Sequence, residues 1–358
     1  MRKLLLTLLL LVTGWLPACA PAAPPPPTPT PVPQKPAAIT LRNWEGDISQ
    51  EILDGFKRET GIEVQYLPYE SQESAVDDIR AGKIYDVVVL ENQLIPPLVK
   101  DNLLAEIDYT RVPNFKNISA NFRDLAYDPG NRHSIPYSWG TTGLVYRSDL
   151  VSQPITRWAD LWRPEFEGKI LLWPLSRYVI GMALRSLGYS LNSEDPAQLD
   201  EALKKLLELK PHVRLIEWEP AVAAPYLVNE QALVAMGQAD DVIEGRKSKP
   251  GIIYVLPEDG GLLWGDNFTI PANSPNKQAA EQLIDYLLRA EIAAQIINAT
   301  HYWLPNDAAL PMVDPEIRDN PAIFPRAENL AKAEILLPLS PAGEALYARI
   351  WEQFLAAP

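Results

Sequence analysis

Forty-six acidic side chains, ten tryptophans and fourteen tyrosines are the chemical stock of this 358-residue chain, against three histidines and one cysteine. Carboxylates and aromatic faces together suit a positively charged guest. A ring face attracts a cation by roughly 0.5–2 kcal/mol, and a carboxylate accepts strong hydrogen bonds from an ammonium when water is excluded. Reactive constellations find little support. His133, His212 and His301 are scattered and lack metal-ligand spacing, so no metal is expected. Neither a glycine-rich phosphate loop nor a Gly-x-Ser-x-Gly elbow occurs, and Asp77-Asp78 reads as a helix surface. The chain is therefore expected to bind without chemical turnover or cofactor. A glycosidase using two carboxylates in a Trp-rich cleft is the remote alternative.

The elements that position such residues are legible from periodicity and caps. Ile39 to Trp44 reads as a strand. A helix follows from an N-cap at Ser49, with Ile52, Leu53 and Phe56 on one face, and ends at Gly61. Ile62 to Leu67 alternates as a strand, Ser71 to Ala81 reads as a helix, and Tyr85 to Leu90 as a buried strand. That βαβαβ order calls for a parallel sheet, and ligands on such sheets sit at the carboxyl ends of the strands. The ends here are Asn43-Trp44-Glu45 and Leu90-Glu91-Asn92. A second α/β unit follows, with strands at 143–146, 168–173, 232–236, 252–256 and 268–271 and helices at 178–187, 196–209 and 276–288. No internal repeat is visible. Asp240-Asp241 fits a helix N-terminus, where the dipole favours acids.

The N-terminus reads as an export signal over residues 1–18: Arg2 and Lys3, then an apolar core from Leu4 to Val12, too short to span a membrane. Leu16-Pro17-Ala18-Cys19 resembles the lipobox of bacterial lipoproteins, so Cys19 is expected to carry lipid and to be the first residue after cleavage. Residues 19–38 then form a Pro-rich tether. Proline fixes φ and lacks an amide hydrogen, which favours extended polyproline II. The expected place is the periplasm or cell surface, anchored to a membrane through lipidated Cys19. Without Arg2 and Lys3 the chain carries 30 basic and 46 acidic residues. This excess argues against nucleic acid and is compatible with a cationic ligand or with a merely soluble acidic surface. The length allows about two domains; 47% hydrophobic residues supply cores for them, and 22% charged residues do not describe a disordered chain.

From Ile39 to Pro358 the pattern resembles the spermidine/putrescine-binding members of the bacterial solute-binding protein family. Three stretches carry it: Ser134-Ile-Pro-Tyr-Ser-Trp-Gly-Thr-Thr-Gly143, Trp158-Ala-Asp-Leu-Trp-Arg-Pro-Glu-Phe-Glu-Gly168, and Trp264-Gly-Asp-Asn-Phe-Thr-Ile-Pro-Ala-Asn273. Asn43-Trp44, Met182 to Tyr189, and Tyr302 followed by Pro305-Asn306 are shorter matches. The resemblance implies an α/β, two-lobed periplasmic-binding-protein-like fold of type II, with mixed sheets flanked by helices and two crossover segments. Residues 39–142 plus 265–310 would form lobe 1, and 143–264 plus 311–358 lobe 2. It also implies a monomer that captures a polyamine between the lobes and hands it to the permease subunits of an ABC importer.

Carried over by position, Trp44 and Trp264 would be aromatic walls, Asp266 the carboxylate that clamps an amine, and Tyr302 a tyrosine lining the cleft. The chain departs from the family pattern elsewhere. Two acids expected after Leu171-Leu172 read Leu175 and Tyr178, and a tryptophan expected near Gly237 is absent. The tyrosine expected three residues after Trp44 reads Asp47, and the serine and tyrosine expected near Leu90 read Glu91 and Gln93. New acids appear at Glu45, Asp47, Glu91, Asp240 and Asp241. Either the charge has moved to other walls of one cleft, or the cargo has become another solute: a betaine, a thiamine-like amine or an iron chelate. The expected ligand set is Trp44, Glu45, Asp47, Glu91, Gln93, Tyr178, Trp264, Asp266 and Tyr302.

Overall fold

In the computed structural model, residues 36–69, 71–216, 223–325 and 330–357 are described. The expected signal segment, Cys19 and the tether up to residue 35 lie outside them. The first half follows the expected order: β1 (Ala38–Asn43), α1 (Gln50–Thr60), β2 (Glu63–Pro68), α2 (Gln72–Arg80) and β3 (Val87–Glu91), then a short α3 (Ile95–Lys100). Both sequence caps of α1 are in place. Ser49 precedes it in extended conformation and Gly61 closes it in the left-handed region that glycine adopts without a Cβ penalty. Ser71 caps α2 by accepting from the Ser74 N–H. Pairs β1–β2 and β1–β3 are parallel.

The run Val87-Val-Val-Leu90 is apolar throughout because both faces of β3 are covered. Val87 and Val89 enter a core with α1, α8 (Lys277–Leu287) and α9 (Ala290–Thr300), whereas Val88 and Leu90 pack beneath α2 and α3.

The next strands are β4 (Ser134–Arg147), β5 (Ile170–Leu172), β6 (Val213–Ile216), β7 (Val234–Gly237), β8 (Ile252–Val255) and β9 (Leu262–Thr269). The sheet runs β2-β1-β3-β9-β4-β7-β5-β6. Strand β4 was expected only over 143–146; it is fourteen long, because a bulge between Pro136 and Ser138 absorbs the proline. Its first part pairs antiparallel with β9, from Ser134 opposite Thr269 to Thr142 opposite Leu262, and its last part pairs with β7 and β8. Strand β9 likewise begins six residues earlier than expected. These two long strands connect the first core to a second one, built from β5, α4 (Ser176–Ser186), α5 (Pro196–Leu209) and a C-terminal helix, Pro341–Ala356, which supplies Tyr347, Ile350 and Phe354. Helix α9, strand β6 and the C-terminal helix were not anticipated. Helix α6 (Ala223–Val228) precedes β7, and α7 (Ala239–Ser248) follows it with Asp241 in its first turn, accepting from the Gln238 N–H at 3.2 Å. Among the described residues, no helix is long and apolar enough to cross a membrane.

Candidate functional site

The carboxyl ends of β1 and β3 open on a cavity of about 700 Å³. Trp44, Glu45, Tyr69, Gln72, Glu73, Glu91 and Gln93 line one side, and Leu175, Arg177, Tyr178 and Leu336 the other. Trp44 and Tyr69 meet edge to face with centroids 4.9 Å apart, giving a rigid aromatic wall.

The floor follows from strand register. Glu91 stands opposite Asp266 across β3–β9, and Asp266 opposite Ser138 across β9–β4. Opposed residues share a face of the sheet, so a row of two carboxylates and a hydroxyl crosses three strands. The first residue of α2, Gln72, ties the row together. Its Nε2 donates to Asp266 Oδ1 at 2.8 Å, and its Oε1 accepts the Glu91 N–H at 2.5 Å. Glu91 also accepts from the Tyr178 hydroxyl at 2.9 Å and from Gln93. Asp266 and Ser138 are buried, and the Ser138 hydroxyl has no hydrogen-bond partner among the described residues.

Electrostatics sharpen the picture. Burial, then the neighbouring charges of Glu91 and Asp47, pushes the Asp266 carboxyl well above the usual range; hydrogen bonds from Gln72 and Trp44 offset part of this. Glu91 is raised chiefly by burial and also by Glu73, while bonds from Gln93 and Tyr178 and the charge of Arg177 pull it down. Burial and Glu91 raise the Tyr178 hydroxyl far above its ordinary value, so it is a donor at neutral pH. Among the described residues, neither Glu91 nor Asp266 forms an ion pair with a lysine or arginine.

The nine expected residues are thus divided. Trp44, Glu45, Glu91, Gln93 and Tyr178 line the large cavity; Asp266 does not line it and is hydrogen-bonded to Gln72, which does. Asp47 is buried; its charge acts on Asp266, Tyr66 and Tyr137 and it does not line the cavity. Trp264 and Tyr302 meet edge to face at 5.5 Å around a separate cavity of about 20 Å³, with Trp139, Gln238 and His301. The four-residue box of Trp44, Trp264, Asp266 and Tyr302 is therefore not one enclosure. Trp264 lies over Gly140, where any Cβ would come within 2.4 Å of the indole. Asp266 is an interior residue of β9.

Gln72, Tyr69, Glu73 and Arg177 were missed. Gln72 gave no signal beyond its place after a helix cap, because its partner lies 194 residues away. Among the described residues, no group of three His, Cys, Asp or Glu is placed to hold a metal ion.

Comparison with known proteins gives a consistent result. The family model described as "Bacterial extracellular solute-binding protein" matches residues 51–325. The spermidine/putrescine-binding periplasmic protein of Escherichia coli (strain K12) is 35% identical over 295 residues, covering 82% of this chain and 84% of that protein. The putrescine/agmatine-binding protein of Pseudomonas aeruginosa is 31% identical over 336 residues, 88% of this chain and 91% of that one. Among solved structures, a putative spermidine/putrescine ABC transporter protein from Listeria monocytogenes superposes with a TM-score of 0.84 at 30% identity, covering 90% of this chain and 100% of that chain. The spermidine/putrescine ABC transporter substrate-binding protein from Streptococcus pneumoniae gives 0.79 at 31% identity, covering 89% and 99%. The fold is the two-lobed one of periplasmic binding proteins.

Proposed function

This chain belongs to the bacterial extracellular solute-binding protein family, and we propose that it captures a small amine of the polyamine class, putrescine- or spermidine-like, for delivery to the permease subunits of an ABC transporter. The observation that carries this reading is the Glu91–Asp266 row. Two carboxylates sit side by side on neighbouring strands, Glu91 lining an aromatic-walled cavity and Asp266 beneath it behind Gln72, without a basic partner among the described residues. Buried charge without a counterion is costly, and a bound ammonium is the counterion that fits. The names of the relatives support the same cargo.

The contact between Tyr178 and Glu91 favours one account of the departures. The stretch that was expected to supply an acid supplies Tyr178 instead, and its hydroxyl donates to a carboxylate gained on β3. Charge has moved across the cleft; it has not vanished.

In this reading the lobes are 39–142 with 265–310 and 143–264 with 311–358, closing on the solute by hinge motion. Burial of Val313 in the first core and packing of Ile317 against it favour a last passage between lobes beyond Ile317. The protein acts as a monomer without catalysis, held at the membrane through lipid on Cys19. Calorimetric titration with putrescine, spermidine, glycine betaine and acetate tests the cargo. Heat with the two polyamines that disappears in Asp266→Asn is expected; tighter binding of betaine or acetate refutes the reading.

A further inference from the structure

The two walls of the large cavity are chemically unlike. Every carboxylate that lines it (Glu45, Glu73, Glu91) comes from the β1, α2 and β3 side, and Asp266 lies beneath the same side. The facing wall is Pro174, Leu175, Ser176, Arg177, Tyr178 and Leu336, and it holds a basic side chain and no acid among the described residues.

Arg177 is fixed in place. Its Nη1 and Nη2 both donate to Leu337 O at 3.1 Å, Nη2 also reaches Asn192 Oδ1 at 3.1 Å, and the guanidinium lies 5.1 Å from the Tyr347 ring centroid. Its Nε–H has no acceptor among the described residues. The acids whose charge reaches it are Glu91 across the cavity and Glu344 and Glu194 behind it. Glu194 is already engaged, accepting from the Ser340 N–H at 2.9 Å, and none of the three forms an ion pair with Arg177. A half-buried guanidinium held this way repels an ammonium brought to its wall and attracts an acceptor oxygen.

We propose that the solute is one-ended: an alkyl ammonium seated at the Glu91–Asp266 row whose far end is an acceptor oxygen, of a carboxylate or an acyl amide, facing Arg177. This rests on the amine reading above for the ammonium end and adds the identity of the other end. A diamine with two free ammonium groups then fits one wall and is disfavoured by the other. Like-charge juxtaposition of this kind discriminates by tenfold or more.

Isothermal titration of the purified protein with putrescine, N-acetylputrescine, 4-aminobutanoate and butylammonium tests this. At least one of the two oxygen-ended amines is expected to bind about tenfold or more tighter than putrescine, and the one preferred identifies the source of the oxygen. Arg177→Met is expected to bring that compound and putrescine within about threefold, and Arg177→Lys to keep the preference. Putrescine binding as tightly as both oxygen-ended compounds, or an equal loss for all four in Arg177→Met, overturns the inference while leaving amine capture standing. Failure of all four to bind wild-type protein overturns both.

Discussion

Glu281 and the Glu91–Asp266 row are acids enclosed by the same half of the molecule, and the protein treats them in opposite ways. Glu281, on α8, is fully buried and surrounded by compensation. Its carboxylate pairs with Lys277, lies 3.8 Å from Arg111 Nε, and accepts the Asp108 N–H at 2.9 Å. Asp266 has Gln72 and Trp44 as donors, two further carboxylates nearby, and no lysine or arginine in an ion pair. A buried acid that holds a fold together is supplied with cations by the fold. One left beside other acids is stable only if something else brings the cation or if it keeps a proton. The difference separates a structural clasp from a binding floor, and it lies in the partners, not in the residue type.

Substitution should split the two sites cleanly. Glu281→Gln is expected to lower unfolding stability by about 2 kcal/mol, the scale of a hydrogen-bonded charged group, with amine affinity kept. Asp266→Asn should cost no stability at neutral pH, because Gln72 can still donate to an amide oxygen and a carboxylate repulsion is removed. The sign of the pH dependence follows from the raised carboxyl of Asp266. Its folded form holds a proton that the unfolded chain gives up near pH 4, so wild-type stability falls as pH rises from there through the folded pKa. Denaturant melts from pH 4 to 8 should show that fall flattened in Asp266→Asn and undiminished in Glu281→Gln. A large destabilisation by Asp266→Asn would place it with the clasp.

A smaller effect is expected on the other wall. Tyr178→Phe removes the donor that lowers Glu91. Amine affinity near pH 6, read by calorimetry, should drop about threefold, corresponding to less than 1 kcal/mol. An unchanged affinity would mean that the Tyr178 contact does not bear on the site.

The fold was legible wherever local chemistry punctuates it. Ser49 and Gly61 bracket α1, Asp195 caps α5 at its predicted start, and the apolar run Val87 to Leu90 of β3 is buried on both faces. It was not legible where a long strand runs through residues that usually stop one. Pro136 and Gly140 hid the first nine residues of β4, which are held by pairing with β9 more than a hundred positions away. The site shows the same division. Glu91 could be placed because strand ends on a parallel sheet face the cleft. Gln72 and Arg177 could not, since their roles arise from partners 194 and 160 residues distant. Trp264 and Asp266, two residues apart on one strand face, are expected in one enclosure, yet Trp264 lines the small cavity while Asp266 is bonded to Gln72 of the large one.

The decisive measurement is putrescine affinity from pH 5 to 8, with the number of protons exchanged obtained by titrating in buffers of different ionisation heat. If the carboxylate row is the cation's seat, ammonium and proton compete for it. Affinity should then weaken steadily as pH falls, protons should be released on binding, and both signals should vanish in Asp266→Asn. Binding that ignores pH, releases no proton and survives Asp266→Asn intact would contradict the account.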